Sequence, residues 1–494
     1  MGMTKKQYRP WNPEQDYLFP PRVRDWLPAE HLAFFIADVM ESLDIAPIER
    51  AIQGKDPRGE QPYHPRMMLA VWIYGYAVGI VSSRGLERAI QEDVAFRVLA
   101  GDSRPHFTRL NEFRRVHREH FGTLFVSVLR LCQEAGLIKL GHVAIDGSKI
   151  KADASKHKAM TYERMKKEEE RLKTEVEQLL NQSDEADADE DARYGAGQRA
   201  FELPDELKHR EGRLKKLREI QARMEAEART ARAATLEANA ANKRAIAGDR
   251  IDRGAKELRT KAAHDERQAQ LLRGKDDDDP PPPAAPTDLP SHATRPTVDG
   301  KPKPDTQMNF TDPNSCIMMG RDGFIQAYNA QAAVDADHQI IVAVGVTNHA
   351  PDPGKLAPMV QRVRSNLGAV PTTISADCGY WSEPGVARVE DLGVEPLVPQ
   401  ERTKRWKPGT GASAVTPNGA GSARERMALR MATEEVRQRY RTRGRTVEPV
   451  FGQIKEVRGF RQFSFRGLEA VSAEWNFVAL VHNLIKLWRC AAPA

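Results

Sequence analysis

No stretch of this 494-residue chain reaches the ~18 apolar residues that a membrane-crossing helix requires. Its start, MGMTKKQYRPWNPEQD, is polar and has no apolar segment of the secretory kind. The expectation is a soluble, unexported protein. Cysteine is scarce too. Cys132, Cys316, Cys378 and Cys490 lie far apart with no CxxC pair, which argues against a disulfide framework and a zinc site and points to a reducing cytoplasm. Length is not lacking: 494 residues exceed what one compact core accommodates, so two to three domains are expected.

A large net charge is also missing, at +6, but the charge is unevenly spread. Residues 401–494 hold 18 Lys and Arg against 8 Asp and Glu, a local excess of +10, while the rest of the chain sums to −4. A basic end suits a polyanion, because each phosphate it neutralises releases counterions. On charge alone, a solvated basic tail is an equally good account.

Three acids tip the balance. The apolar run HVAID closes on Asp146, the β-rich VPTTIS delivers Asp377 just ahead of Gly379 and Tyr380, and Glu448 opens the helical stretch TVEPVFGQIK. Three carboxylates carried in this way are what a divalent-metal site for phosphoryl transfer needs, since Mg²⁺ takes hard oxygen ligands. Singly, each has an ordinary reading: Asp146-Gly147 as a hairpin turn, Asp377 as a helix cap, Glu448 as a charge at a helix N-terminus with Pro449 in its first turn. Lys455, seven residues beyond Glu448 and so on the same helical face, favours the joint reading.

The runs HVAIDGSKIKADAS, YNAQAAVDADHQIIVAVGVTNHAPD, ISADCGY and VEPVFGQIK, in this order, resemble those of bacterial insertion-sequence DDE transposases with a helical N-terminal domain. The resemblance spans most of the chain outside residues about 160–305. It implies an RNase H-like fold in which two metal ions, held by two Asp and one Glu, drive DNA cleavage and joining. Carried over, the catalytic and metal-binding triad is Asp146, Asp377 and Glu448, with Asp146 bridging the ions. The cofactor is Mg²⁺, replaceable by Mn²⁺, with ions about 3.5–4 Å apart. The family's Glu block often reads Tyr-x2-Arg-x3-Glu-x6-Lys. Here Tyr440, Arg443, Glu448 and Lys455 leave four residues between Arg443 and Glu448, so Arg445 competes with Arg443 for the DNA-contacting role and is favoured as the nearer to Val447.

Residues 1–135 read as an all-α domain, with LAFFIADVMESL, PRMMLAVWIYGYAVGI and EHFGTLFVSVLRLCQEAGL apolar at helical spacing. Between them SSRGLERAIQEDVAFRVLAG and PHFTRLNEFRRVHREH form two short helical patterns. These could be a helix-turn-helix capped by Thr108, presenting Arg109, Arg114 and Arg115 to DNA; a plain bundle with a basic face is the competing reading. WNFVALVHNLIKLW at the other end reads as an amphipathic closing helix, so Trp475 and Trp488 need no functional role.

From HVAID onward strand and helix alternate. GFIQAYNAQAAVD, HQIIVAVGVT, TTISAD and VEPLVP are strand candidates; KLAPMVQRVRSNL and SEPGVARVEDL are helices between the later ones. That order is an α/β, RNase H-like catalytic domain split into residues 136–158 and 306–494. Residues 159–305 form a helical hairpin insertion, with Leu172, Val176, Leu179 and Leu180 on its seam, and a linker, KDDDDPPPPAAPTDLPSHATRP. Asp352, His349 and His482 are candidate supporting groups. The expected function is metal-dependent cleavage and strand transfer at the inverted-repeat ends of an insertion sequence. The expected partners are double-stranded end and target DNA and a second copy of the chain, with no membrane, in a bacterial cytoplasm and on the nucleoid when DNA-bound. An RNase H-like nuclease without strand transfer, and a DNA-binding protein with a dead centre, are the alternatives.

Overall fold

The computed structural model describes residues 22–54, 61–194, 205–274, 289–292, 294–321, 323–401 and 422–491, apart from the side chains of 23, 24, 179–194 and 205–208. The N-terminal sixteen residues, the side chains of Leu179 and Leu180, and most of the Pro/Asp-rich linker therefore lie outside the description. The chain divides into two compact units, residues 1–120 with 484–494, and residues 121–483.

The first unit is helical. It comprises α1 (Leu32–Ser42), α2 (Ala46–Gln53), α3 (Pro65–Val78), α4 (Ser83–Glu92), α5 (Val94–Ala100) and α6 (Phe107–Val116). Imidazoles start three of them: the side chains of His31, His64 and His106 accept amide hydrogens in the first turns of α1, α3 and α6. The expectation of Thr108 as a cap is thus corrected, because His106 fills that place. The single helical pattern over 83–100 is split at Asp93, whose carboxylate accepts from the amides of Ala95 and Phe96 and restarts the helix. Helix α3 buries ten residues, including Trp72 and Tyr76. Among the described residues no single helix is long and apolar enough to cross a membrane, although α3 and α4, bent by 96° at their junction, pass that test as a pair.

The second unit is mixed α/β. After α7 (Phe121–Glu134) come strand β1 (His142–Lys151), the short β2 (Ala159–Thr161), and three helices, α8 (Tyr162–Tyr194), α9 (Asp205–Ala247) and α10 (Arg253–Arg273). Then follow β3 (Gln307–Asn309), β4 (Cys316–Gly320), β5 (Gly323–Asp335), β6 (Ile341–Thr347), α11 (Leu356–Leu367), β7 (Thr373–Ser375), α12 (Glu383–Asp391), β8 (Glu395–Leu397), α13 (Ala423–Arg430), α14 (Glu434–Gly452) and α15 (Leu468–Ala491). The six-stranded sheet runs β4-β5-β1-β7-β8, with β6 pairing β5 as well. β1 is antiparallel to β5 and parallel to β7, and β7 is parallel to β8. The edge strand β4 was not anticipated: CIMMG is too short to show period-two alternation clearly.

Between β1 and β5 the chain makes more than the expected two-helix hairpin. α8 and α9 run antiparallel, linked by Arg210–Glu175 and Arg218–Glu169 at 3.0 Å. α10 then lies back along α9. Ala233, Ala240 and Ala247 face Ala255, Ala262 and Ala269, each series spaced by seven and all but fully buried. Small side chains at every seventh position let two helices approach closely and register by one seam. The surface ion pairs along these helices add little stability each. β2 pairs antiparallel with β3, closing the base of the helical arm.

Candidate active site

Parallel pairing of β1 with β7 extends only to Ala144↔Ser375. Two residues further along each strand come Asp146 and Asp377, so the two acids are register mates at the point where the strands part. Ligands gather at such openings in α/β sheets, beyond the carboxyl ends of parallel strands. Asp146-Gly147 is not a turn. β1 runs straight on against β5, with Asp146 opposite Ala332 and Gly147 opposite Gln331. Asp377 does cap a helix, a single turn over Cys378–Tyr380, through a 2.9 Å bond from the Gly379 amide to its Oδ1.

The third acid arrives from α14. Glu448 does not open this helix, as expected, but lies within its last turns, and Pro449 is internal. The helix starts fifteen residues before Pro449, so Tyr440, Arg443 and Arg445 are all helical. Arg443 donates to Asp146 Oδ2 at 3.2 Å and approaches Glu448 Oε1 at 3.9 Å. It also hydrogen-bonds Tyr440. Arg445 is exposed and meets the fold through its backbone carbonyl, which accepts from Gln339 Nε2 at 2.9 Å. Of the two arginines, Arg443 is the one whose side chain faces the acids. Lys455 sits on a π turn over Gln453–Val457, so α-helical spacing does not carry through from Glu448; its ammonium reaches β1 instead and donates to Ser148 Oγ at 2.7 Å.

Strand alternation puts Asp146 and Ser148 on the face covered by α14, and Lys149 on the other. There Lys149 Nζ donates to Ala350 O at 2.8 Å and lies 3.7 Å from Asp352. Asp352 Oδ1 accepts from Asn329 Nδ2 at 2.8 Å and from the fully buried Lys355 Nζ at 3.0 Å. Burial pushes the Asp146 carboxyl up to about 6, with the like charges of Asp377 and Asp352 adding to it and Arg443 opposing. Burial acts on Asp352 in the same sense, but Lys355 and Lys149 outweigh it and hold this carboxyl below its usual range. Burial brings Lys355 down to about 8 and also lowers Lys149. On Arg443, burial disfavours the charge, yet Asp146, Tyr440 and Asp377 outweigh it and keep the guanidinium cationic. Asp352 thus belongs to the centre more closely than its sequence position indicated. The neighbours Ser148, Lys149, Asn329, Gln331 and Lys355 were missed, although two amides at i and i+2 within the otherwise apolar YNAQAAVD were a signal that the strand buries polar partners.

The remaining candidates divide by burial. Arg109 and Arg115 are exposed on α6, Arg109 facing Glu112 at 3.2 Å. Arg114, expected at a DNA groove, is instead buried in the helical unit, its guanidinium 4.3 Å from the Trp72 ring centre and donating to Tyr76 Oη at 2.8 Å and Val81 O at 3.2 Å. Its place is explained by packing, because a planar cation stacks on an aromatic face and needs its donors satisfied. His482 is buried between Arg458 and the Gln339 carbonyl. The His349 carbonyl accepts from Lys355. Trp475 is core, its indole donating to Gln331 O at 2.8 Å, and Trp488 donates to Glu30 O at 3.0 Å.

Asp146, Asp377, Asp352 and Glu448 are hard oxygen donors, the kind a divalent cation takes, and positive charge among them would favour the ionised form that burial disfavours at Asp146. Among the described residues no three His, Cys, Asp or Glu side chains stand close enough to enclose an ion as they are; the cation between Asp146 and Glu448 is Arg443. The residues fit a metal in kind, and Arg443 faces two of the acids.

Residues 21–116 match the family model of a transposase domain (DUF772), and residues 403–488, which include all of α14, match that of a transposase DDE domain. No curated protein and no solved structure matches the chain.

Proposed function

We propose that this chain, which its two domain matches identify as an insertion-sequence DDE transposase, cuts the ends of its element and joins them to target DNA through an RNase H-like centre of Asp146, Asp377 and Glu448. The observation that carries the proposal is the register of Asp146 with Asp377 at the parting of two parallel strands, faced by Arg443 and Glu448 of one helix.

Asp146 and Asp377 supply fixed carboxylates from opposite sides of the opening, and Glu448, two-thirds exposed at its rim, supplies a third that can swing. Divalent cations bound there, with Mg²⁺ the natural ion and Mn²⁺ a substitute, supply Lewis-acid activation of the attacking and leaving oxygens. Arg443 pairs with Asp146, and its planar guanidinium suits a phosphate oxygen of DNA. Lys455, half-buried against Ser148, offers a point charge to the phosphate on the same face. Tyr440 steadies Arg443 from one turn earlier. The exposed Arg109 and Arg115 supply the helical unit's contribution to end binding.

The test is a plasmid carrying the DNA that flanks the gene, incubated with the purified full chain and Mg²⁺. Ends cut at inverted repeats and joined to target DNA support the reading; cut ends that are never joined favour the plain nuclease, and tight binding without cutting in Mg²⁺ or Mn²⁺ favours a dead centre.

A further inference from the structure

Behind the acids lies a chain of buried polar side chains that the reaction itself does not use. Asn329 and Gln331, on one face of β5, are both fully buried. Gln331 Nε2 donates to Asn329 Oδ1 at 2.9 Å and to Asp352 Oδ1 at 3.3 Å, while its Oε1 accepts from the Tyr380 hydroxyl. Asn329 Nδ2 donates to Asp352 Oδ1, which also takes Lys355 Nζ. The orientation of the Gln331 amide is fixed by chemistry. A carboxylate only accepts, so the nitrogen must face Asp352. That leaves the oxygen facing the buried Tyr380, whose hydroxyl donates to it.

Each end of this relay presses on the mount of a proposed catalytic acid. Gly147 follows Asp146 directly, and a Cβ there would stand 2.1 Å from Gln331 Nε2 and 2.8 Å from Asn329 Oδ1. The amides therefore lie flat against the backbone that carries Asp146. At the other end, Tyr380 closes the single turn that Asp377 caps. A Cβ on Gly379 in that turn would stand 2.9 Å from Asp377 Oδ1 and 3.7 Å from Asp352 Oδ2, so Asp352 lies close to the same turn. Beyond Ser375 no ladder bonds hold β7 to β1, so ordinary sheet pairing does not set the distance between the two acids.

We propose that Gln331 is a positioning residue, bridging the Asp146 strand and the Asp377 turn through Tyr380 and Asp352 and so setting the spacing at which the two carboxylates share a cation. The proposal rests on the reading of Asp146 and Asp377 as the metal-binding acids. Groups that orient ligands in this way typically govern metal affinity by about 10- to 100-fold.

The test is a titration of the full chain with Tb³⁺, read by luminescence without DNA or turnover. Gln331→Met should raise half-saturation by about tenfold or more, and Tyr380→Phe, which deletes one hydroxyl, should shift it less but in the same direction. Val363→Ala in the α11 core controls for general loss of stability and should leave the midpoint unmoved. If Gln331→Met does not fold, Tyr380→Phe measured against Val363→Ala decides the matter. Shifts no larger than that of Val363→Ala overturn the positioning role. Asp146→Ala separates the two claims: if it leaves Tb³⁺ binding intact, the reading of the acids fails, and if it abolishes binding while Gln331→Met and Tyr380→Phe do nothing, only the relay fails.

Discussion

Asp146 and Asp377 are partners in a ladder that stops two residues short of them. Strand pairing brings them to the same level, and the pairing ends before it reaches them. The first consequence concerns pH. The carboxyl of Asp146 is held up to about 6 in the fold, chiefly by burial, against an ordinary value of 3.8. An acid raised on folding stabilises the native state below its unfolded pKa, and that contribution is lost as pH climbs through the folded one. Without metal, the native chain should therefore lose about 2 kcal/mol between pH 4 and pH 8 relative to Asp146→Asn. Urea denaturation in a chelator at both pH values checks this, and a pH-independent gap between the two proteins would contradict it.

Gly147→Ala should damage the centre without touching an acid. The added methyl collides with the Gln331 amide at 2.1 Å, and the strand or the relay must shift. A loss of about 1–3 kcal/mol of stability is expected, as for overpacking elsewhere. Cleavage should fall further than that loss explains, as measured by denaturation alongside a single-turnover assay.

Arg443 and Arg445 separate cleanly. Arg443→Ala removes the cation shared by Asp146, Glu448 and Tyr440, and should reduce joining of a pre-cut end by tenfold or more, roughly the value of one charge-assisted contact. Arg445→Ala should cost less than half as much in free energy, since only its backbone meets the fold. The reverse ranking, measured side by side, would return the role to Arg445.

Arg114 should behave as a core residue. Arg114→Met is expected to destabilise the chain by about 2 kcal/mol through lost cation–π and hydrogen-bond contacts with Trp72 and Tyr76. Arg109→Ala and Arg115→Ala should leave the melting temperature alone and instead weaken end binding and flatten its salt dependence. Melting and salt-titrated binding curves for the three variants distinguish these outcomes.

The sequence carried much of this arrangement because apolar runs that end on an acid announce themselves. HVAID and VPTTIS gave β1 and β7, and GFIQAYNAQAAVD coincides with β5 throughout. Other features were obscured by local rules that tertiary structure overrode. Asp146-Gly147 looks like a turn because glycine so often permits one, yet this glycine is there to make room for Gln331. Pro449 looks like a helix start, but α14 tolerates it internally and passes into a π turn beyond it. At five residues apart on one helix the two side chains still come within 3.9 Å. The acidity of the Asp352 environment depends on Lys149 and Lys355, which are remote from each other in sequence, so no single motif reveals it.

The most direct measurement is single-turnover joining of a pre-cut element end by the native chain and by Asp146→Asn, Asp377→Asn and Glu448→Gln, each corrected for the fraction of DNA bound. The account predicts that all three variants bind the end almost as the native chain does and join it at least about a thousandfold more slowly, a barrier increase of roughly 4 kcal/mol. Joining at near-native rate by any one of them would remove that carboxylate from the centre and contradict the account.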